Sequence, residues 1–373
     1  MHRRTFTALL AAAAFVPRGS LGAEVLPTGS GEARVARMAE GLDTPWALAF
    51  LPGGAMLVTE RDSGRLLLIE DGRARAVRGV PRVENSGQGG LLDVVAARDF
   101  ATSREIFLTY SEPRPEGAGT ALAVARLADG PALADLRVIF RQVSPSRGGR
   151  HFGSRVVEAP DGTLFVTVGD RGARAEAQSL QSHKGKLLRI ARDGRAPSGN
   201  PFMGRQGALD TIWSYGHRNA QGAALDGQGR LWTVEHGARG GDEINRPEPG
   251  RNYGWPVISY GREYSGGRIG QGTDAPGMEQ PRFYWDPSIA PSGMAIYSGR
   301  LWPDWRGHIF VGSLKFDMIS RLSAAGGGLA ERARLFEGRY ARIRDIREAP
   351  DGALWFIAES DGALYRMTPA APA

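Results

Sequence analysis

Residues 156–168 contain Val156-Val157, then Asp161-Gly162, then Leu164-Phe165-Val166-Thr167-Val168: an apolar strand, an acid-glycine turn and a second apolar strand. Asp-Gly supplies a tight reversal, and β-branched and aromatic residues suit a pleated, buried strand. The unit recurs in both directions from there. Upstream, Ala47-Leu48-Ala49-Phe50 and Pro52-Gly53-Gly54 precede Ala55-Met56-Leu57-Val58-Thr59. Downstream, Ala223-Ala224-Leu225 and Gln228-Gly229 precede Leu231-Trp232-Thr233-Val234, and Ile346 with Asp351-Gly352 precedes Leu354-Trp355-Phe356-Ile357. Weaker copies lie at residues 104–110 and 307–312, and third strands follow at residues 64–69, 185–190 and 362–367.

One such meander cannot cover both of its faces, whereas radial stacking buries them and leaves few edges. Six copies at irregular spacings of roughly 45 to 80 residues predict an all-β fold, a six-bladed β-propeller of four-stranded antiparallel blades with long insertions. A β-sandwich would show the same turns, but six similar units strain that reading. No segment reads as a long amphipathic helix.

The chain has 373 residues, with 52 glycines, 23 prolines and no cysteine. Disulfides, zinc–thiolate centres, iron–sulfur clusters and C-x-x-C-H haem attachment are therefore excluded. Arg3-Arg4, an apolar run over residues 8–16 and Leu21-Gly22-Ala23 read as a cleaved export signal, with Arg3-Arg4-Thr5-Phe6 hinting at the twin-arginine route. Residues 1–23 are the predicted signal, 24–373 a single propeller domain, and the destination periplasmic or secreted. That apolar run is too short to span a bilayer, which needs about 20 residues, so stable membrane insertion is not expected. The net charge of +7 is spread along the chain without a basic block, so nucleic acid is not an expected partner. Basic charge is almost all arginine, and Lys184, Lys186 and Lys315 are the only lysines.

A propeller gathers loops from every blade at one end of its axis, and the unusual polar segments are scattered accordingly. Gln88 is presented between glycines in Ser86-Gly87-Gln88-Gly89-Gly90. His151 precedes the innermost strand of its blade and Asp170 follows the next strand, so antiparallel pairing can return both to one end, a general base with its orienting carboxylate. Arg218 and Asn219 are suited to a carboxylate and a carbonyl on a flat ligand. The glycine-rich run from Glu235 to Asn245 and the Asn252-Tyr253-Gly254-Trp255-Pro256 segment offer hard oxygen ligands of the kind calcium takes, without EF-hand spacing. His183, His217 and His236 lack zinc spacing and read as structural or solvent-facing. Arg342 and Arg344 alternate, so an extended chain aims both to one side, and with Lys315 and Arg218 they form a cationic cup that calls for a polyanion. No G-x-G-x-x-G follows any strand, which counts against nicotinamide or flavin.

Nine ordered segments together resemble the soluble quinoprotein glucose and aldose sugar dehydrogenases: residues 44–47, 87–92, 169–170, 216–219, 242–245, 252–256, 290–293, 313–315 and 342–345. The resemblance, which covers residue 40 to the C-terminus, implies oxidation of an aldose at its anomeric carbon to a lactone, with pyrroloquinoline quinone (PQQ) and Ca²⁺ as cofactors. It implies His151 as base, Asp170 as its orienting partner, and Gln88, Arg218, Asn219, Lys315, Arg342 and Arg344 on the quinone. It implies calcium on the carbonyls of Gly237 and Ala238, with a further site at Glu243, the Tyr253 carbonyl and Glu279, and Tyr284 and Trp285 flanking the sugar. Electrons pass to an external acceptor, a soluble cytochrome or a quinone. The chain departs from the pattern at Phe152 and Arg171, and Ala238 stands where some members have proline. The alternatives are a calcium-dependent propeller lactonase and a non-catalytic carbohydrate- or protein-binding propeller.

Overall fold

The computed structural model describes residues 21–370, folded as six antiparallel sheets arranged as the blades of a propeller. Blade one is Pro45–Phe50, Met56–Glu60, Arg65–Glu70 and Arg73–Val77, and blade two Leu91–Ala96, Glu105–Arg114, Gly117–Leu127 and Leu133–Arg141. Blade three is Val156–Glu158, Leu164–Val168, Lys186–Ile190 and Ile212–Tyr215, and blade four Ala220–Leu225, Leu231–Glu235, Asp242–Asn245 and Phe283–Trp285. Blade five is Pro291–Ile296, Ile309–Ser313, Ile319–Ala325 and Gly328–Leu335. The repeats thus mark the blades: four copies open on the innermost strand, and the weaker two, at residues 104–110 and 307–312, fall on the second.

Blade six differs from the expected four strands. Ile343–Glu348, Leu354–Ala358 and Ala363–Pro369 are completed by Glu32–Ala39 and then Ala23–Pro27 from the other end of the chain. This closes the ring without leaving an open edge between first and last blades. Ala23–Pro27 and Glu32–Ala39 form a hairpin around residues 28–31, and their place in this blade rests on pairing with a strand at the far end of the chain. Ala23 itself pairs with Ala36, and most of the expected export signal, residues 1–20, lies outside the described residues. Among the described residues no helix is long and apolar enough to cross a membrane.

Apolar side chains pack between blades. Trp46, Leu57 and Leu66 of blade one bury against Leu91, Ile106 and Tyr110 of blade two, and Phe310 and Ile319 of blade five against Ile343, Leu354 and Phe356 of blade six. Each such side chain contributes about 1.5–3 kcal/mol relative to exposure. On the axis the innermost strands supply charge. Arg155 meets Asp93 at 3.2 Å and Asp345 at 3.0 Å, while Arg347 meets Asp93 at 2.8 Å and Asp345 at 2.9 Å. Above this closed square of two cations and two anions lies Trp46, whose ring faces the Arg155 guanidinium at 4.1 Å.

Candidate active site

Because the first two strands of a blade are antiparallel, the residues entering the first and leaving the second share one end of the axis. His151 and Asp170 meet there, with His151 Nδ1 donating to Asp170 Oδ1 at 2.7 Å, which leaves Nε2 as the proton-accepting nitrogen. Asp170 is fully buried and accepts two further bonds, from the Gly172 amide at 2.7 Å and from the Trp255 indole at 2.8 Å. Burial alone pushes the Asp170 carboxyl up, but these bonds and the nearby cations outweigh it, and its pKa is lowered. Burial lowers His151 in turn, opposed by Asp170 and reinforced by Arg218 and Arg150. The base is therefore neutral at neutral pH. A side chain at Gly169 would collide with the His151 carbonyl, so this crossing needs glycine.

Beside the pair lies a cavity of about 350 Å³ lined by Trp46, Arg61, Gln88, Phe152, Asn219, Gln221, His236, Arg342 and Arg344, among others. Gln88 Oε1 accepts from the His151 amide at 2.7 Å, and Asn219 Oδ1 accepts from the Gly153 amide at 3.1 Å. Arg344 bonds Glu359 at 2.6 Å, and Arg61 and Arg342 approach the same carboxylate at 3.4 and 3.7 Å. Burial raises Glu359 and the three guanidiniums outweigh it, so its pKa falls. One carboxylate thus serves three cations, with Asp62 taking a share of Arg61 alone. Arg342 precedes its strand in a left-handed conformation, φ 58°, so it reaches the cavity through a turn and not by simple alternation with Arg344.

Arg218 and Lys315 do not line this cavity. The Arg218 guanidinium donates to the His236 carbonyl at 3.2 Å and lies 5.3 Å from the Trp255 ring centre, with Nε buried and unpartnered. Lys315 is exposed, its Nζ 4.9 Å from the Phe316 ring, directly after cavity-lining Leu314.

The Gly237 amide donates to Asp242 at 2.8 Å, and the Ala238 carbonyl accepts the Arg262 amide at 2.9 Å. Glu243 is set opposite Glu235 on the neighbouring strand, and burial, with Glu235 and Asp242 adding to it, pushes its carboxyl up to about 8. Tyr253 stacks at 4.8 Å on His217, which bonds Glu235, while the Glu279 amide donates to the Asn252 carbonyl at 2.7 Å and its carboxylate meets Arg251 at 3.4 Å. Among the described residues no group of three or more acidic or histidine side chains is placed to hold a metal. Trp285 is buried with its indole on Glu331, so it does not flank an open site, whereas Tyr284 is exposed and stacks on Tyr260 at 4.0 Å.

Sequence reasoning missed several cavity residues. His236, read as structural or solvent-facing, lines the cavity, with Nε2 buried and unpartnered and burial pushing the ring down to about 3. His217 and His183 are structural: His217 bridges Glu235 and Ser214, and His183 accepts the Val143 amide. Arg61, His236 and Glu359 each directly follow the second strand of a blade, one residue nearer the strand than Asp170, and that register was the available signal.

The family model for glucose/sorbosone dehydrogenase matches residues 42–366. The chain is 42% identical to the aldose sugar dehydrogenase YliI of Escherichia coli K12 over 99% of its own length and all of that protein. Its fold is similar to the crystal structure of the soluble E. coli aldose sugar dehydrogenase in the apo form, with TM-score 0.87 and 44% identity over 90% of this chain and 99% of that one. It is also similar to the PQQ-bound aldose sugar dehydrogenase of Streptomyces coelicolor, with TM-score 0.74 and 29% identity over 93% and 98%. A proton-accepting histidine beside a cationic cavity on a propeller axis thus coincides with whole-chain similarity: the chain belongs to the glucose/sorbosone dehydrogenase family and is an oxidoreductase.

Proposed function

We propose that this protein oxidises aldose sugars at the anomeric carbon to lactones, using PQQ and Ca²⁺ and passing the electrons to an external acceptor, a soluble cytochrome or a quinone. The observation that carries the reading is the charge imbalance of the cavity: Arg61, Arg342 and Arg344 share Glu359 beside the His151–Asp170 pair. A planar tricarboxylate supplies the missing anions, and the unpartnered Nε2 of cavity-lining His236 supplies an acceptor for a mixed polar ligand. Bound there, PQQ provides the two-electron quinone acceptor and Ca²⁺ the Lewis acid that polarises it.

The chain's own contribution is electrostatic and positional. His151 Nε2 takes the proton of the anomeric hydroxyl, and Asp170 fixes the tautomer and supports the imidazolium that results. Gln88, Asn219, Arg342 and Arg344 in the cavity, with Arg218 and Lys315 next in sequence to cavity-lining Asn219 and Leu314, would hold the quinone, the cations balancing its carboxylates. The Gly237 and Ala238 carbonyls would hold the calcium, with charge balance supplied by the cofactor's carboxylates because no acidic cage is placed there among the described residues. The raised Glu243 carboxyl suits a second cation, with the Tyr253 carbonyl and Glu279 as further ligands. An export signal ending at Ala23 and a single propeller domain over residues 24–373 complete the reading, which puts the enzyme in the periplasm or outside the cell.

The test is dye-linked aldose oxidation by purified apo-protein with PQQ and Ca²⁺ added separately and together. Activity only with both, and lactone as product, is the expected result. No activity with any aldose and no spectral change of PQQ would overturn the reading in favour of a lactonase or a binding protein.

A further inference from the structure

Phe152 and Arg171, which directly follow His151 and Asp170, form one structural feature. Arg171 is buried, and its guanidinium carbon lies 3.3 Å from the centre of the Phe152 ring, flat against the aromatic face. Its N–H groups donate to backbone carbonyls: Nη1 to Arg150, Nη2 to Gly148 at 2.8 Å and to Ala118 at 3.5 Å. Two of these acceptors lie within the three residues before His151, and Phe152 follows it. Burial pushes the Arg171 guanidinium down to about 10, so it stays charged at neutral pH.

The loop it grips is in a conformation that needs holding. His151 has φ 54°, the left-handed region that costs a non-glycine residue free energy and persists where surroundings over-determine it. Thr120 Oγ1 donates to the Phe152 carbonyl at 2.7 Å, and a further restraint is Gln88, whose backbone amide donates to Gly149 at 2.6 Å and whose side chain accepts from the His151 amide. Gln88 lines the cavity and Arg171 does not, so the two grips approach the loop differently.

We propose that Arg171, stacked on Phe152, is a positioning residue that clamps residues 148–152 and so sets the orientation of the His151 ring towards Asp170. The planar fork reaches several carbonyls at once while its face covers an aromatic ring, which an ammonium cannot do. The clamp serves the reaction proposed above and rests on that reading, but its geometry can be measured without turnover.

The experiment compares Arg171→Met, Arg171→Lys and Phe152→Leu with the wild-type full chain. Imidazole NMR reports the His151 tautomer in the apo-protein, and amide hydrogen exchange reports residues 148–153. Titration with PQQ and Ca²⁺ gives the cofactor dissociation constant, and dye-linked assays give kcat and KM. Arg171→Met is expected to lose the single Nδ1–H tautomer and exchange protection at 148–153, and to lower kcat about 10- to 100-fold, with KM and the cofactor constant within about threefold. Arg171→Lys restores part of both, and Phe152→Leu shows the same changes more weakly, which keeps the test decisive if Arg171→Met does not fold. An unchanged His151 tautomer and unchanged exchange in the folded variants would overturn the clamp. Wild-type protein inert with PQQ, Ca²⁺ and aldoses would overturn the reaction instead and leave the NMR and exchange comparison standing.

Discussion

Two groups of arginines meet near the axis and are opposites in charge balance. Arg155 and Arg347 alternate with Asp93 and Asp345, each cation touching both anions. Arg61, Arg342 and Arg344 share Glu359. Trp46 separates them, its ring 4.1 Å from the Arg155 guanidinium and 5.9 Å from that of Arg344. Arg344 and Arg347 even lie on one strand. The first group is balanced in charge and joins blades two, three and six. The second is cationic in excess, tolerable beside water and suited to an anionic ligand. Residue type and burial alone do not separate structural from ligand-binding arginines here, whereas local charge balance does.

The largest expected effect removes neither charge group. His151→Ala should lower turnover about 10²- to 10⁴-fold while PQQ binding, followed by its absorbance, and thermal stability stay near wild type. Unchanged turnover would remove His151 from the chemistry and detach the cavity from catalysis.

The comparison itself is tested by breaking each group. Arg155→Met leaves Asp93 and Asp345 with one cation fewer inside the ring and should cost about 3–5 kcal/mol in urea unfolding. Arg342→Gln removes a half-exposed cation from the unbalanced group, so stability should change by no more than about 0.5 kcal/mol. Its cofactor dissociation constant should rise about 10-fold or more, as for one lost charge-assisted bond. Equal stability losses in the two variants would show that both groups are structural.

The fold was legible because turn chemistry and strand periodicity are local, and six copies repeat them. The closure of blade six was not, since Glu32–Ala39 pairs with Ala363–Pro369 across nearly the whole chain and nothing local announces a partner. At the site, motif order brought Gln88, Asn219, Arg342 and Arg344 to one cavity, but the balance between cations and Glu359 depends on which loops cross, which spacing does not encode. His236 shows the same limit. A histidine beside glycines reads as exposed until the fold places it between the cavity and buried neighbours.

The finest test concerns the hydrogen bond from Trp255 to Asp170. His151 must be neutral to accept a proton, so the rate is full above its folded pKa and lost as pH falls through it. Burial sets that pKa below the ordinary value of about 6.5, and the acid limb of kcat/KM should lie below it too. The Trp255 N–H draws charge from the Asp170 carboxylate at 2.8 Å. In Trp255→Phe the carboxylate keeps that charge and holds the imidazolium better, so the His151 pKa rises and the acid limb moves to higher pH, by about half a unit to one unit. Phenylalanine retains a ring between the Arg174 and Arg218 guanidiniums, which lie 5.4 and 5.3 Å from the indole, so cofactor affinity should hold. An acid limb that stays in place while affinity falls would assign Trp255 to packing under Arg218 and leave His151 and the Gly172 amide as the bonds that tune Asp170.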